Sequence, residues 1–136
     1  MRIHHIGYLV KKADKAKDVF TSIGFSVKQE PVYDQIRDIH VLFMEKDGYV
    51  IELVSSNSKN SVVANLMKTY KNSPYHICYE SEDFDDDIKG LTEKGFMSID
   101  RPTPAPALDG RRVCFFMNSQ IGMIELLESG GTSECH

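Results

Sequence analysis

The sequence predicts an α+β protein built from two tandem βαβββ modules, because three of its segments occur twice in the same order. HHIGYLV (4–10) returns as YHICYE (75–80), SIGF (22–25) as EKGF (93–96), and YVIELVS (49–55) as GMIELLE (122–128). His5 and His76 are 71 residues apart, Gly24 and Gly95 are also 71 apart, and Glu52 and Glu125 are 73 apart. Repeats that keep their order and spacing indicate a duplicated structural unit.

The first module, about residues 1–56, follows the pattern of one strand, one helix and three strands. A β-branched and aromatic run at 3–10 predicts the first strand. Ala16, Val19, Phe20 and Ile23 recur at helical spacing, so a helix follows, with Asp14 able to cap its start and Gly24 placed to end it. Further strands are predicted at about 25–31, 39–45 and 49–55, with Asp47-Gly48 as a hairpin turn.

The second module, about residues 75–130, repeats this plan after a polar linker at about 57–74 with a short helical patch at 62–67. A strand at 75–80 precedes a helix that carries Phe84, Ile88 and Leu91 on one face and ends at Gly95. Strands are predicted near 96–101, 112–117 and 122–128. The three prolines within 102–110 favour a stiff extended loop there rather than a strand.

Length and charge restrict the class of protein. The 136 residues fit one compact domain, and each module is too small to bury a sufficient core alone, so the modules are expected to share one. The net charge of −4 and the absence of a basic stripe disfavour a nucleic-acid partner. No signal peptide or membrane-length apolar run is recognised, so we expect a cytoplasmic protein without a membrane partner.

The cysteines favour a reducing compartment. Cys78, Cys114 and Cys135 are odd in number and lack CxxC spacing, so free thiols are expected rather than a disulfide framework. Cys78 and Cys114 are interpreted as small core residues of strands. Cys135 and His136 stand at the C-terminus and are not expected to have a function.

Four residues are the candidates for chemistry: His5, Glu52, His76 and Glu125. Each lies in a predicted strand among apolar neighbours, where an unpaired buried charge would be very costly. Taken singly, such a Glu is readily explained as an outward-facing strand residue and such a His as a satisfied core residue. Together they form two His and Glu pairs, 47 and 49 residues apart in sequence, which indicates a metal site. Imidazole and carboxylate ligands suit Zn, Ni, Co, Fe or Mn rather than Ca.

These motifs resemble the vicinal oxygen chelate superfamily over essentially the whole chain, and within it glyoxalase I and methylmalonyl-CoA epimerase. The resemblance implies a single domain whose modules form an open, cupped, eight-stranded mixed sheet. It also implies one divalent transition metal, Ni, Co, Zn or Mn, bound by His5, Glu52, His76 and Glu125. The stretch GRRVCFF (110–116) favours the epimerase branch, and NSQIG (118–122) replaces the Asp-Pro-x-Gly turn of many glyoxalases.

The activity implied by the resemblance is that of a metal-dependent lyase or isomerase on a thiohemiacetal or an acyl thioester. A proton leaves the carbon next to a carbonyl, and the divalent ion stabilises the resulting enediolate or enolate. Glu125 is the first choice for the base, and Glu52 is the second proton carrier on the opposite face. A homodimer is expected because each module would expose a sheet edge at its first or last strand.

Two other functions fit the same resemblance. An extradiol-type dioxygenase would use ferrous iron held by two His and one Glu, but Glu52 would fill the position that such enzymes keep open. An antibiotic-binding or resistance protein of this fold typically lacks the metal ligands, whereas this chain has all four.

Four more polar residues are secondary candidates. His40 could point towards the site, although strand alternation places it on the face of Leu42 and Met44. His4 is expected to point away from His5 and not to bind metal. Arg37, Arg111 and Arg112 could bind the carboxylate of a thiol carrier or the phosphates of coenzyme A, or they could be solvated loop charges.

Overall fold

The computed structural model describes residues 1–130, and these contain ten strands, three α-helices and one 3-10 turn. The strands are β1 Arg2–Leu9, β2 Ser26–Val27, β3 Val32–Asp34, β4 Ile39–Lys46, β5 Tyr49–Ser56, β6 Ser73–Ser81, β7 Met97–Ser98, β8 Thr103–Pro104, β9 Arg112–Asn118 and β10 Gly122–Glu128. The helices are α1 Ala13–Ser22, α2 Ala64–Tyr70 and α3 Phe84–Glu93, and the 3-10 turn is Pro106–Leu108. None of these helices has the length and hydropathy needed to cross a membrane.

The chain divides into two compact units, residues 5–75 and residues 1–4 together with 76 onward. In the first unit the strand order is β2-β4-β5-β1, with β3 also beside β4. Strands β1 and β5 run parallel, and β4 is antiparallel to both β5 and β2. Leu42, Met44 and Leu53 are buried on one face, where apolar residues of α1, among them Phe20, pack against them.

The second unit has the same plan, with the strand order β6-β10-β9-β7 and with β8 beside β9. Strands β6 and β10 are parallel, and β9 is antiparallel to β10 and β7. Here α3 contributes Phe84 and Leu91 to a core with Phe116 and Leu126. Both modules predicted from the repeat are therefore present, each with one additional short strand, β3 or β8.

The predicted turns form where the sequence placed them. Gly24 and Gly95 directly follow the C-cap residues of α1 and α3 and have φ of 107° and 92°, a region that only glycine enters at little cost. Asp47 and Gly48, with φ of 54° and 83°, join β4 to β5 as the hairpin turn.

Several local predictions need correction. The strands expected at 25–31 and 96–101 shrink to β2 and β7, because Pro31 and Pro102 interrupt the ladder soon after them. Short strands β3 and β8 follow, so the described chain has ten strands rather than eight. Within 102–110, expected to hold no strand, Thr103 and Pro104 pair with the first two residues of β9. Asp14 lies inside the first turn of α1, whose N-cap is Lys12.

Candidate functional site

The first predicted pair, His5 and Glu52, comes together inside the unit of residues 5–75. Nε2 of His5 lies 3.4 Å from Oε1 of Glu52. The register causes this contact, because Gly7 of β1 pairs with Glu52 of β5 and His5 lies two residues before Gly7, on the same face. Phe43 of β4 is directly opposite Glu52, and its ring meets the His5 ring edge-on, with centroids 5.2 Å apart and planes at 78°.

The second pair, His76 and Glu125, repeats this arrangement inside the other unit. Nε2 of His76 lies 2.9 Å from Oε1 of Glu125. Cys78 of β6 pairs with Glu125 of β10, which puts His76 on the face of Glu125. Phe115 of β9 is opposite Glu125 and meets the His76 ring edge-on, with centroids 5.2 Å apart and planes at 88°.

All four side chains are buried. The exposed fraction is 1% for His5, 7% for Glu52, 4% for His76 and 3% for Glu125. A carboxylate at this depth is stable only beside a cation or strong hydrogen-bond donors. Imidazole nitrogen and carboxylate oxygen in contact, away from bulk water, are a donor set that divalent transition metals accept. Each pair therefore fits half of a metal site.

Phe43 and Phe115 are aromatic neighbours of the two candidate histidines that the sequence interpretation missed. Their edge-on contacts restrict the rotation of the two imidazole rings. The repeat carried the signal, because Phe43 and Phe115 are 72 residues apart, between the 71 and 73 of the matched motifs. As apolar residues in apolar strands, they were indistinguishable from ordinary core residues without the partner strands.

The secondary histidine His40 does not join His5 and Glu52. It pairs with Ser55 across the β4–β5 ladder, three residues from Phe43, so it lies on the opposite face of the strands. Its Nε2 is 2.9 Å from Oδ1 of Asn57, and its ring lies 5.3 Å from that of Tyr33. His4 alternates with His5 along β1 and likewise belongs to the other face.

The three candidate arginines are all engaged by carboxylates of the protein. Arg37 donates to Asp34 at 2.8 Å, and both residues are buried. Arg112 donates to Glu128 at 2.8 Å and places its guanidinium 4.7 Å from the ring centroid of Phe84. The positive charges of Arg37 and Arg112 are thus compensated within the protein, and neither arginine needs an external anion.

Arg111 takes part in a different contact, at the end of β6. Glu80 is buried there and accepts hydrogen bonds from Arg111 at 2.8 Å and from Arg2 at 2.6 Å. Burial raises the pKa of the Glu80 carboxyl, but the bonds from the two guanidinium groups outweigh it and hold that pKa below its ordinary value. The Glu80 carboxylate therefore stays charged inside the protein.

Cys78 and Cys114 are buried free thiols, as predicted. Burial raises the pKa of the Cys114 thiol to about 11, so this residue is protonated at neutral pH. Cys135 and His136 lie outside the described residues.

Comparison with known proteins finds a matching family model and a similar protein of named activity. The family model for the Glyoxalase/Bleomycin resistance protein/Dioxygenase superfamily matches residues 3–115, a span that includes His5, Glu52 and His76. The mitochondrial methylmalonyl-CoA epimerase of Dictyostelium discoideum is 24% identical over 115 residues, covering 84% of this chain and 69% of that protein.

Solved structures show the same fold. Methylmalonyl-CoA epimerase from Mycobacterium tuberculosis superposes with a TM-score of 0.82 at 17% identity, covering 99% of this chain and 92% of that one. A methylmalonyl-CoA epimerase in complex with methylmalonyl-CoA and NH4+ superposes with a TM-score of 0.81 at 19% identity, covering 96% and 95%. The α+β fold expected from the repeat is thus confirmed, and the chain belongs to the glyoxalase/bleomycin resistance protein/dioxygenase superfamily, also called the vicinal oxygen chelate superfamily.

Proposed function

We propose that this protein is an epimerase that moves a proton at the carbon next to the thioester carbonyl of a branched acyl-CoA. The observation that carries the proposal is the buried contact of one imidazole with one carboxylate, built in the same way in both modules. A duplicated pair supplies two equivalent carboxylates, and inversion of a carbon needs proton removal on one face and proton delivery on the other.

His5, Glu52, His76 and Glu125 are the residues that would together hold one divalent ion, namely Ni, Co, Zn or Mn. The chemistry of their side chains supports this assignment, since ring nitrogens and carboxylates are the donor types that these metals bind. When bound, the ion would supply Lewis-acid stabilisation of the negative charge that develops on the carbonyl oxygen.

The two glutamates are proposed to carry the proton. Glu125 is the first choice as the base and Glu52 as the carrier on the opposite face. A carboxylate can act as the general base that removes a proton next to a carbonyl. Phe43 and Phe115 keep bulk water away from the two imidazoles and hold their rings in place.

The acyl-CoA substrate is supported by the relatives rather than by the site. The D. discoideum relative is named a methylmalonyl-CoA epimerase, and one solved epimerase of this fold holds methylmalonyl-CoA. Glyoxalase-type isomerisation of a thiohemiacetal uses the same elementary proton transfer, so it is the comparison reaction of the test.

Elemental analysis and proton exchange test the proposal together. The purified protein, loaded in turn with each of the four metals, is incubated in D2O with each enantiomer of methylmalonyl-CoA, and deuterium at the reacting carbon is followed by NMR. We expect exchange into both enantiomers that requires metal. Turnover of a thiohemiacetal without exchange into the thioester would replace the epimerase proposal by a glyoxalase activity, and failure to retain any metal would remove the four-ligand site.

A homodimer and a cytoplasmic location are proposed as well, and neither follows from the site. The D. discoideum relative is named mitochondrial, so the compartment needs its own test by fractionation. Sedimentation at tens of micromolar, far above the Kd of most specific dimers, distinguishes a dimer from a monomer.

A further inference from the structure

Three methionines form a row across the second unit, on the face of the strands that carries Glu125. Met123 of β10 pairs with Met117 of β9, and Met117 pairs in turn with Met97 of β7. This methionine row lies two residues along the strands from the pair of Glu125 with Phe115, and residues two apart on a strand share a face. Three of the six methionines of the chain therefore lie side by side next to the candidate base.

The other face of these strands is the core of the unit, which fixes the direction of the row. Phe116, the neighbour of Met117, is buried in the core formed with α3. Ser98, the neighbour of Met97, has its Oγ 3.6 Å from Sγ of Cys114, another core residue. Since side chains alternate along a strand, the methionine row is directed away from the core.

The methionine row is open to solvent, whereas the neighbouring carboxylate is not. The exposed fraction is 70% for Met97 and 3% for Glu125, and Met117 and Met123 are half-buried. A solvated face of an antiparallel sheet ordinarily carries polar residues. Single apolar side chains on a surface are common, but three in register on three strands form a continuous apolar surface. The row is therefore an apolar approach to the buried carboxylate.

The first module has a different row at the equivalent position. Ser26 is matched with Met97 by the internal repeat, because each stands two residues after the glycine that ends the helix. Val50 pairs with Glu45, and Glu45 pairs with Ser26. The Glu45 carboxylate is 3.4 Å from the Lys28 ammonium, and both side chains are more than two-fifths exposed. The fold therefore accepts polar residues in this row, and the apolar surface is a property of the second module alone.

This difference between the modules suits a substrate whose reacting carbon carries one apolar and one ionised substituent. We propose that the methionine row binds the alkyl branch on that carbon, and that the protein accepts branches longer than methyl. The inference rests on the proposed epimerase function, since it assigns one part of the acyl thioester to a surface beside the proposed base.

Geometry and side-chain chemistry support this assignment. Residues two apart on a strand are about 7 Å from each other, so a short alkyl chain on a carbon beside Glu125 reaches Met123. Methionine is unbranched and polarisable, and its flexible thioether adapts to apolar groups of different lengths. A row of three such side chains is therefore expected to bind several branches rather than to select one.

The first experiment measures how proton exchange depends on branch length. The metal-loaded protein is incubated in D2O with methylmalonyl-CoA, ethylmalonyl-CoA and butylmalonyl-CoA, and NMR gives kcat/KM for deuterium exchange. Each methylene that leaves water contributes about fourfold, so kcat/KM should be at least about fourfold higher for the butyl than for the methyl substrate. Met97→Ser, which introduces the residue type of Ser26, should lower this ratio by about fourfold or more.

Met67→Ser is the matched control, because Met67 is half-buried in α2 of the other unit and outside the methionine row. It should leave the ratio of butyl to methyl substrate unchanged. Met123→Val is a second variant of the row, with the residue type of Val50. It should lower the ratio as well, and it decides the matter if Met97→Ser does not fold.

The second experiment observes binding without the reaction. The protein is labelled with 13C at its methionine methyl groups, and each signal is assigned from a single-methionine substitution. Titration with butylmalonyl-CoA should shift the three signals of the methionine row and leave those of Met44 and Met67 in place. The same spectra show whether each variant is folded.

The two experiments together distinguish failure of the row from failure of the proposed reaction. Shifts of the row without any proton exchange would refute the epimerase and keep the binding surface. Proton exchange without shifts of the row, or an unchanged ratio in both variants of the row, would overturn the inference and keep the epimerase. Equal shifts with coenzyme A, which lacks the acyl branch, would also overturn it. Neither binding nor exchange would overturn both.

Discussion

The guanidinium of Arg111 lies 2.8 Å from the buried carboxylate of Glu80 and joins the segment before β9 to the end of β6. Arg2 reaches the other oxygen of the same carboxylate at 2.6 Å. Two guanidinium groups on one buried carboxylate compensate for its desolvation, which explains why the pKa of Glu80 is lowered despite burial.

The first prediction concerns the stability of this cluster. A carboxyl whose folded pKa is lowered adds stability above its unfolded pKa, near 4.5, and that stability is lost as the pH falls through the folded value. Glu80→Gln should therefore reduce the free energy of unfolding by about 1.5–3 kcal/mol at neutral pH and by less at pH below 4. Urea unfolding across pH measures the difference.

Glu45→Gln is the control for Glu80→Gln, because Glu45 pairs with Lys28 at 3.4 Å and both side chains are more than two-fifths exposed. Such a surface pair contributes about 0–1 kcal/mol. A Glu80→Gln effect that is the same at acidic and neutral pH would contradict the proposed ionised cluster.

The second prediction separates the two glutamates of the candidate site. Glu125→Gln and Glu52→Gln keep the size and one oxygen ligand but remove the base. In a two-base epimerase, each variant should block proton exchange from one enantiomer of methylmalonyl-CoA by about 10²–10⁴-fold and spare the other. In a one-base reaction of the glyoxalase type, one substitution should cost far more than the other.

Deuterium exchange into each enantiomer is measured on both variants, together with their metal content. Unchanged exchange in both variants with metal still bound would exclude the two glutamates from proton transfer. His40 lies on the opposite face of the β4–β5 ladder, so it would not be the replacement.

The third prediction concerns the edge-on aromatic contacts. Phe115→Leu keeps an apolar side chain but removes the ring that meets His76. Since an aromatic pair contributes about 0.5–1.5 kcal/mol, metal affinity should fall by about two- to tenfold, as measured by competition with a chelating dye.

Phe116→Leu is the matched control in the neighbouring position of β9. Phe116 is fully buried in the core formed with α3, on the other face of the strand from Phe115. Its loss should lower the melting temperature while leaving metal affinity unchanged. Equal losses of affinity in both variants would show that general destabilisation, and not ring orientation, governs the site.

The fourth prediction concerns thiol reactivity. With a pKa of about 11, only about one Cys114 in a thousand is a thiolate at pH 8, and the residue is also buried. In a Cys135→Ser background, alkylation followed by mass spectrometry should leave Cys114 unmodified in the folded protein and modify it in urea. Rapid alkylation of native Cys114 would contradict the buried, protonated state.

The internal repeat of the sequence predicted more of the fold than the local helix and strand patterns did. Residues matched between the modules occupy equivalent places, and Gly24 and Gly95 both end a helix with positive φ. The face that carries His5 and Glu52 follows from strand alternation once the register of β1 on β5 is known. Register depends on how strands distant in sequence pair, and the sequence pattern of a single strand does not determine it. The contact of His5 with Phe43 could therefore not be predicted from the sequence.

Edge strands were less predictable. The dimer was expected from exposed first or last strands, but β5 and β10, the last strands of the two modules, each have neighbours on both sides. In each unit one outer position belongs to a strand of two residues, β2 or β7, and very short edge strands are a common protection against edge pairing. The last strands therefore do not support the dimer, which stays a prediction from sequence.

Residues 1–4 belong to the same compact unit as the part of the chain from 76 onward. On the ribosome these four residues are therefore made long before the rest of their unit. Arg2 is translated before its partner Glu80, and Arg111, which binds the same carboxylate, follows later still. At about 5–20 residues per second, the N-terminal segment waits several seconds for them. The residues of the unit 5–75 are all made during that wait, so we expect the ion pair between Arg2 and Glu80 to form only after the segment that carries Glu80 has been made.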